Sequence, residues 1–220
     1  MPMFKYVYTL FFNMLNMQGK LIVVVTLFCF LFLATSESGL TGFILADDVI
    51  CGSIIDSDVV LSSDILGCND TTILEVRADD VTLDCAGHIL SGEDSVGIYV
   101  SGSGVTVKNC NVILRGEESY GVFFGGDNIN FVDNKIEAPG EYSIAGIIDY
   151  DKTRIVIEGN TIIGGEVGIQ FYSYAYDNVV RNNIITMGKS TAIMMGYGNS
   201  GHIIEGNTII GGEVGIQFYS

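Results

Sequence analysis

The chain has 220 residues, of which 48% are hydrophobic, and its formal net charge is −16 at pH 7. All 26 acidic residues follow Ser36, where eight of the ten lysines and arginines remain, so this part carries a formal charge of about −18. A surface of that charge repels nucleic acid and anionic lipid, and it excludes a nucleic-acid-binding function. We interpret the charge first as a source of solubility, with binding of divalent cations as the alternative.

Residues 1–36 are predicted to be a signal peptide or an N-terminal membrane anchor. Lys5 and Lys20 precede an apolar run that extends from Leu21 to Ala34. This run has the length of a signal-peptide core and is shorter than the roughly 20 residues that span a bilayer. Small residues at Ala34 and Ser36 provide a cleavage site. We therefore expect an exported protein, extracellular or on the cell surface, and favour cleavage over anchorage.

Residues 37–80 are interpreted as an N-terminal cap and a first irregular coil. Four cysteines follow the signal segment, and an exported protein with an even number of cysteines usually pairs them. Cys85 and Cys110 occupy equivalent positions in adjacent repeats, about 4.8 Å apart in a stacked structure, which is within disulfide range. Cys51 and Cys68 flank the irregular segment and are expected to staple the cap. For Cys85 and Cys110, stacking as buried free thiols is the alternative.

Residues 81–220 form a series of similar segments, each about 24 residues long. An apolar column runs in step with a column of Asn or Cys residues, and the segment Ile157–Ser173 recurs unchanged at Ile204–Ser220. The Asn or Cys column consists of Cys85, Cys110, Asn134, Asn160, Asn183 and Asn207. From Cys110 onward, each of these residues is followed two positions later by a β-branched residue. The apolar column consists of Leu74, Ile98, Val122, Ile147, Ile169, Ile193 and Ile216. The chain is therefore a repeat protein.

The repeat unit is made of strands. Its apolar runs are short, β-branched and separated by Gly-rich or Asn-rich corners, and 28 glycines leave no room for long helices. Strands that recur once in every repeat pair with their own copies in parallel. This pattern predicts an all-β, right-handed parallel β-helix of six to seven coils, in which stacked Asn side chains hydrogen-bond along one corner.

The repeats resemble the right-handed β-helix repeats of NosD-like proteins and of carbohydrate-binding and sugar-hydrolysis (CASH) domains. The resemblance lies in the stretches VTLDCAGHILSG, GIYVSGSGVTVKNCNVI, GNTIIGG and NVVRNNIITMG, and it extends over residues 47–220. It implies the fold. The family includes surface proteins, carbohydrate-active enzymes, epimerases and a periplasmic factor of copper-site assembly, so the resemblance assigns neither one activity nor site residues.

Asp149 and Asp151 are the candidate catalytic pair. Acid–base chemistry on sugars needs two carboxylates, and residues two apart on a strand point to the same side. Asp149 also stands where the inward column of Val100 and Phe124 predicts an apolar residue. A turn beginning at Asp149 explains both aspartates without any site, and we favour that interpretation.

Acidic side chains recur just before the Gly-Ile strand, where they are expected to stack along one corner. Like charges about 5 Å apart repel each other unless they are screened or bridged, so calcium is the candidate ligand. The candidate metal ligands are Glu117, Glu141, Glu166 and Glu213. No cofactor is expected.

Aromatic residues form the candidate contact surface. Tyr99 and Phe123 are predicted on the outer face of one sheet, and Tyr172, Tyr174 and Tyr176 alternate beyond a later strand of that sheet. Aromatic faces that border polar groups bind sugar rings, although plain stacking along a parallel sheet is the favoured interpretation.

The sequence therefore indicates a non-catalytic surface module for contact with a polysaccharide or a surface protein. A polysaccharide-active lyase, hydrolase or epimerase is the first alternative, and a spacer in a larger surface protein is the second. The chain stops on a strand, at Ser220. An uncovered strand leaves backbone groups unpaired, so further coils or a cap are expected after this residue.

Overall fold

The computed structural model describes residues 44–46, 49–69 and 71–219, with the backbone alone for residues 44–46. The signal or anchor segment predicted at residues 1–36 lies outside the described residues, as do Asp70 and Ser220. Phe43–Ser220 form one compact unit. Within the described residues, no helix is long and apolar enough to cross a membrane.

In the part of the chain that the structure describes, short β-branched runs form 23 strands, numbered β1 to β23 in chain order, which pair into three parallel sheets. Sheet 1 contains β1 (Ile44–Ala46), β3 (Val59–Leu61), β6 (Thr82–Asp84), β9 (Thr106–Lys108), β12 (Asn130–Val132), β15 (Val156–Glu158), β18 (Val179–Arg181) and β21 (Ile203–Glu205). Sheet 2 contains β4 (Ile65–Asn69), β7 (Ile89–Glu93), β10 (Asn111–Arg115), β13 (Lys135–Ala138), β16 (Thr161–Gly164), β19 (Ile184–Met187) and β22 (Thr208–Gly211). Sheet 3 contains β2 (Ser53–Ile55), β5 (Thr72–Val76), β8 (Val96–Val100), β11 (Tyr120–Phe124), β14 (Ile144–Ile148), β17 (Val167–Phe171), β20 (Thr191–Met195) and β23 (Val214–Phe218).

Three successive strands, one from each sheet, make one coil. Seven complete coils begin at β3, β6, β9, β12, β15, β18 and β21, and we number them coil 1 to coil 7. Each strand pairs in parallel with its equivalents in the neighbouring coils, as Val122 in coil 3 pairs with Ile98 in coil 2. The prediction of an all-β, right-handed parallel β-helix is confirmed.

The core is a column of apolar side chains inside the three sheets. Alternation along each strand sends every second residue inward, so Phe124, Phe131 and Phe171 are almost completely buried. On the outer face of sheet 1, charged residues of neighbouring coils pair, with 3.3 Å between Lys108 Nζ and Asp84 Oδ2. The inner faces of the three sheets therefore provide the apolar burial that stabilises the fold.

Asparagines stack at the corner between sheets 1 and 2, which we call corner 1–2. The backbone N–H of Asn134 donates to Oδ1 of Asn160 at 2.8 Å, and the N–H of Asn160 donates to Oδ1 of Asn183 at 2.9 Å. The ladder continues to Asn207. The amides of Asn134, Asn160 and Asn183 are buried and satisfied, so the predicted Asn stacking is present and holds the coils in register.

Two disulfides reinforce the N-terminal coils. Cys85 and Cys110 occupy the Asn position in coils 2 and 3 and are bonded, and the N–H of Cys110 donates to Oδ1 of Asn134. Cys51 and Cys68 are also bonded. Among the described residues no strand precedes β4 in sheet 2, so this second bond ties the turn before β2 to the first strand of that sheet.

Serines form a second ladder at the corner between sheets 2 and 3, which we call corner 2–3. Ser95, Ser119 and Ser143 are buried at equivalent positions, and Ser143 Oγ accepts from the N–H of Ser119 at 2.9 Å. Glu166 and Glu213 continue this column in later coils, as the pairing of β14, β17, β20 and β23 shows. Not all the predicted acidic residues therefore share one register.

The apolar column assigned from the sequence is wrong by one residue in coil 4. Val122 pairs with Gly146 rather than with Ile147, and Phe124 pairs with Ile148. The inward position expected at Asp149 is therefore filled by Ile148, which is buried. In several other coils the sheet 3 strand contains a Gly-Ile dipeptide whose Ile belongs to the apolar column. In coil 4, Gly146 occupies the position of that Ile, so the dipeptide Gly146-Ile147 lies one residue later in the register.

Candidate functional site

A row of tyrosines covers the corner between sheets 3 and 1, which we call corner 3–1. We use the name tyrosine row for Tyr150, Tyr172, Tyr174, Tyr176, Tyr197 and Tyr219. Five of the six are exposed, from 36% at Tyr176 to 56% at Tyr197. The row lies outside the named strands of the three sheets, and its exposed rings are accessible to a ligand.

Neighbouring rings in the row pack against one another. Tyr150 and Tyr172 are stacked, with ring centroids 5.1 Å apart and planes 8° apart. Tyr197 and Tyr219 are 6.5 Å apart and tilted by 44°. Burial raises the pKa of the Tyr172 hydroxyl, and nearby Tyr120, Tyr150 and Asp149 raise it further, so this hydroxyl stays protonated and is a hydrogen-bond donor at neutral pH.

The second aromatic surface predicted from the sequence lies on the outer face of sheet 3. Tyr99 and Phe123 are cross-strand neighbours and make an edge-to-face contact, with centroids 5.5 Å apart. Both are half-buried, and the ring of Tyr99 lies against Gly125. The structure thus separates the predicted ligand-contact residues into a packed pair on sheet 3 and the exposed tyrosine row.

Asp149 and Asp151 lie in the turn that follows β14 and are not on a strand. Asp149 Oδ1 accepts a hydrogen bond from the N–H of Tyr150 at 2.8 Å, and Asp151 has a positive φ of 59°. Their spacing therefore does not place them on one strand face. They shape the turn that presents Tyr150, and a role in acid–base chemistry stays a prediction.

A groove crosses corner 2–3 because the connections between sheets 2 and 3 differ in length. Residues 139–143 in coil 4 and 188–190 in coil 6 make the longer connections, whereas coil 5 has only Gly165 and Glu166. The longer connections form two walls, about 10 Å apart for two coil rises, and the short one forms the floor. The groove has a volume of about 630 Å³. We call it the corner groove.

The floor of the corner groove is backbone. A Cβ on Gly165 would lie 1.7 Å from the carbonyl oxygen of Gly140, so only glycine allows these corners to stack. Ile163 and Met187 provide apolar lining, and Tyr142, which is 52% exposed, stands in the coil 4 wall.

Charged side chains line the corner groove without partners. Glu141, Glu166 and Glu213 are exposed there with Lys189, and among the described residues none of the four makes an ion pair. Three of the four predicted metal-ligand carboxylates therefore reach one groove. Glu117 lies in the coil 3 connection and does not line it.

A chelating metal site requires its ligands to converge on one point. In the part of the chain that the structure describes, no three His, Cys, Asp or Glu side chains converge as metal ligands would. Calcium takes six to eight oxygen ligands around one point. The corner carboxylates are instead spread over successive coils, and calcium binding by them stays a prediction.

Both histidines make contacts within the fold. His88 Nδ1 lies 3.0 Å from Asp64 Oδ1 in the preceding coil. His202 is half-buried, packs on Phe171 with centroids 4.8 Å apart, and accepts a hydrogen bond at Nδ1 from the N–H of Asn178 at 3.2 Å. Burial lowers the pKa of His202, while Asp177 acts in the opposite direction.

The sequence analysis missed several residues of both surfaces. Tyr150, Tyr197 and Tyr219 belong to the tyrosine row, and Tyr142 and Lys189 line the corner groove. A sequence pattern does mark the row. Each of these three tyrosines lies one or two positions after the last inward-facing residue of a sheet 3 strand. Nothing comparable marks the groove, because its walls come from unequal connection lengths.

The comparisons with known proteins agree with this architecture. A family model described as a right-handed beta helix region matches residues 58–220. No curated protein and no solved structure matches the chain significantly. Because the matched region spans well over half of the sequence, the chain belongs to the right-handed beta helix family.

Proposed function

We propose that this protein is an exported, non-catalytic module whose tyrosine row contacts glycans. The observation that supports this proposal is the stacked pair of Tyr150, which is exposed, and Tyr172, which is half-buried, in a row whose other tyrosines are exposed. Sugar rings present flat C–H faces bordered by hydroxyls. A tyrosine offers an apolar ring face for the first and a hydroxyl group for the second.

Export is part of the proposal. The two disulfides, Cys51–Cys68 and Cys85–Cys110, are of a kind that persists in oxidising compartments and is rare in the cytosol. The strongly acidic composition after residue 36 suits a soluble surface in an exterior medium. Both features support an extracellular or cell-surface location, with the segment before residue 37 as the exporting signal or anchor.

The test is a glycan array probed with the full chain and with two variants. Tyr150→Ala and Tyr172→Ala remove one ring each from the stacked pair, and each is expected to weaken binding about tenfold. Tyr99→Ala is the matched control, because this ring belongs to the packed pair on sheet 3. Loss of binding in Tyr99→Ala with normal binding in the other two would move the contact to sheet 3 and contradict the proposal.

One observation favours a second candidate, catalysis on a polysaccharide. Carboxylates in a groove are the feature that separates a β-helix enzyme from a binding module, and the corner groove holds Glu141, Glu166 and Glu213. A reducing-sugar assay on the polysaccharides that bind in the array distinguishes the two. Turnover abolished by Glu166→Gln would establish the enzyme. A chain that neither binds nor cleaves any glycan would leave contact with a surface protein and the spacer as the two remaining functions.

A further inference from the structure

We propose that the corner groove binds an extended cationic glycan, a chain of amino sugars with free amino groups. This site lies on corner 2–3, and the tyrosine row lies on corner 3–1, so neither depends on the other. The inference rests on the shape of the groove, on its unpaired charges and on the pairing of the strands that lead into it.

The shape favours a chain. The groove runs between the coil 4 and coil 6 connections with a backbone floor at Gly165, and its walls are about 10 Å apart. This width accepts one extended polymer lying between the two walls, along the coil 5 connection. Tyr142 in one wall offers a ring face to a sugar, and Thr186 and Ser190 offer hydroxyl groups.

The charges favour a cation that is distributed along a chain. Glu141, Glu166 and Glu213 face the same groove, and Lys189 is the only basic residue among the described residues that line it. A metal ion needs its ligands at one point, and no such convergence occurs within the described ranges. A polymer with an ammonium group on each sugar presents several cations, which pair with carboxylates that come from the floor and from both sides of the groove.

The backbone favours a glycan over a basic peptide. An extended peptide usually adds its backbone to a free strand edge. Three strands of sheet 2 that lead into the groove, β13, β16 and β19, are each paired on both sides in continuous register. These three strands therefore offer no edge to a peptide, whereas sugar hydroxyls need only side-chain and solvent partners.

The probe is a fluorescent oligomer of β-1,4-linked glucosamine, compared with its N-acetylated counterpart, at a mildly acidic pH that keeps the amines protonated and the carboxylates ionised. The full chain is expected to bind the free-amine oligomer at least about tenfold more tightly at low salt, with the difference shrinking as salt is added. Equal binding of the two oligomers would overturn the proposal.

Two sets of variants locate the site. Replacing Glu141, Glu166 and Glu213 together by Gln keeps shape and removes charge, and it is expected to weaken binding of the free-amine oligomer about tenfold without affecting the acetylated one. A Cβ on Gly188, which lines the groove, meets no atom within 4 Å, so a side chain can begin there. Gly188→Trp is designed to obstruct the groove, and Gly188→Ala is its matched control.

Gly188→Trp is expected to abolish binding of the free-amine oligomer, whereas Gly188→Ala and the tyrosine-row variant Tyr150→Ala leave it unchanged. Normal binding by Gly188→Trp or by the triple Gln variant would contradict the site. The last comparison measures the binding of an oligolysine of equal charge. Tighter binding of oligolysine than of the glucosamine oligomer would assign the groove to a basic peptide and overturn the glycan assignment.

Discussion

Asn160 and Asn183 stack directly above one another in coils 5 and 6. Nδ2 of Asn160 donates to Oδ1 of Asn183 at 3.0 Å and also to the carbonyl oxygen of Phe131 at 2.9 Å, and Oδ1 of Asn160 accepts from the N–H of Asn134. One buried side chain thus joins three successive coils. Such corner contacts add to the stability that the apolar column provides.

Replacing Asn160 by Ala is expected to destabilise the protein by about 3 kcal/mol, because buried backbone groups of Asn134 and Phe131 lose their partners. Asn130→Ala, on an exposed position of sheet 1, is the control and should cost less than about 0.5 kcal/mol. Denaturant midpoints of the two variants and the wild type measure both effects. Equal midpoints for the two variants would show that the ladder adds no stability.

Reduction of the disulfides is expected to loosen the N-terminal coils first. Each bond closes a loop, with a sequence separation of 17 for one and 25 for the other, and contributes about 3 kcal/mol, mainly by restricting the unfolded chain. Non-reducing peptide mapping of protein from its native compartment should recover Cys51 with Cys68 and Cys85 with Cys110. Amide exchange after reduction should rise around coils 1 to 3 before coils 5 and 6. Four free thiols in the native protein would contradict export.

The thermal stability is expected to fall as the pH decreases through the range in which histidine titrates. His202 has a lowered pKa in the folded state, so above the unfolded-state value of about 6.5 it is neutral in both states and costs nothing. Below that value the unfolded chain takes up a proton first, and stability falls until the folded-state pKa is reached.

His202→Asn is the matched control for this effect, because Asn178 fills the same inward position one coil earlier and does not titrate. The melting temperature of the variant should change less than that of the wild type between about pH 8 and about pH 5. Paired carboxylates such as Asp64, whose pKa is lowered by the N–H of Ile89 and by His88, lose their contribution in both proteins at lower pH. Parallel curves for the two proteins would exclude His202 as the cause.

Calcium is expected to raise the melting temperature at low ionic strength, and to do so mainly by screening. The acidic residues of corner 2–3, among them Glu141 and Glu166, lie in neighbouring coils and repel each other, but no three ligands converge among the described residues. Melting curves in calcium chloride and in sodium chloride at matched ionic strength separate the two effects. A rise specific to calcium that disappears in Glu141→Gln would restore the metal site predicted from the sequence.

The sequence by itself determined the fold, because a solenoid repeats one local rule. The regular period of the repeat, the Asn positions from Asn134 to Asn207 and the pairing of Cys85 with Cys110 are all readable as columns, and each column becomes a stack in the structure. Equivalent positions in a parallel coil must lie one rise apart, so spacing along the chain converts directly into spatial contact.

Only the tertiary structure decided the surfaces. The one-residue shift at Gly146 moved Asp149 out of the core column and into a turn that presents Tyr150, and periodicity alone did not resolve that shift. The corner groove arises because coils 4, 5 and 6 have connections of different length, so residues far apart in the sequence, Tyr142 and Lys189, line one space. Regular repeats fix the strands, whereas the departures from regularity at the corners shape the tyrosine row and the corner groove.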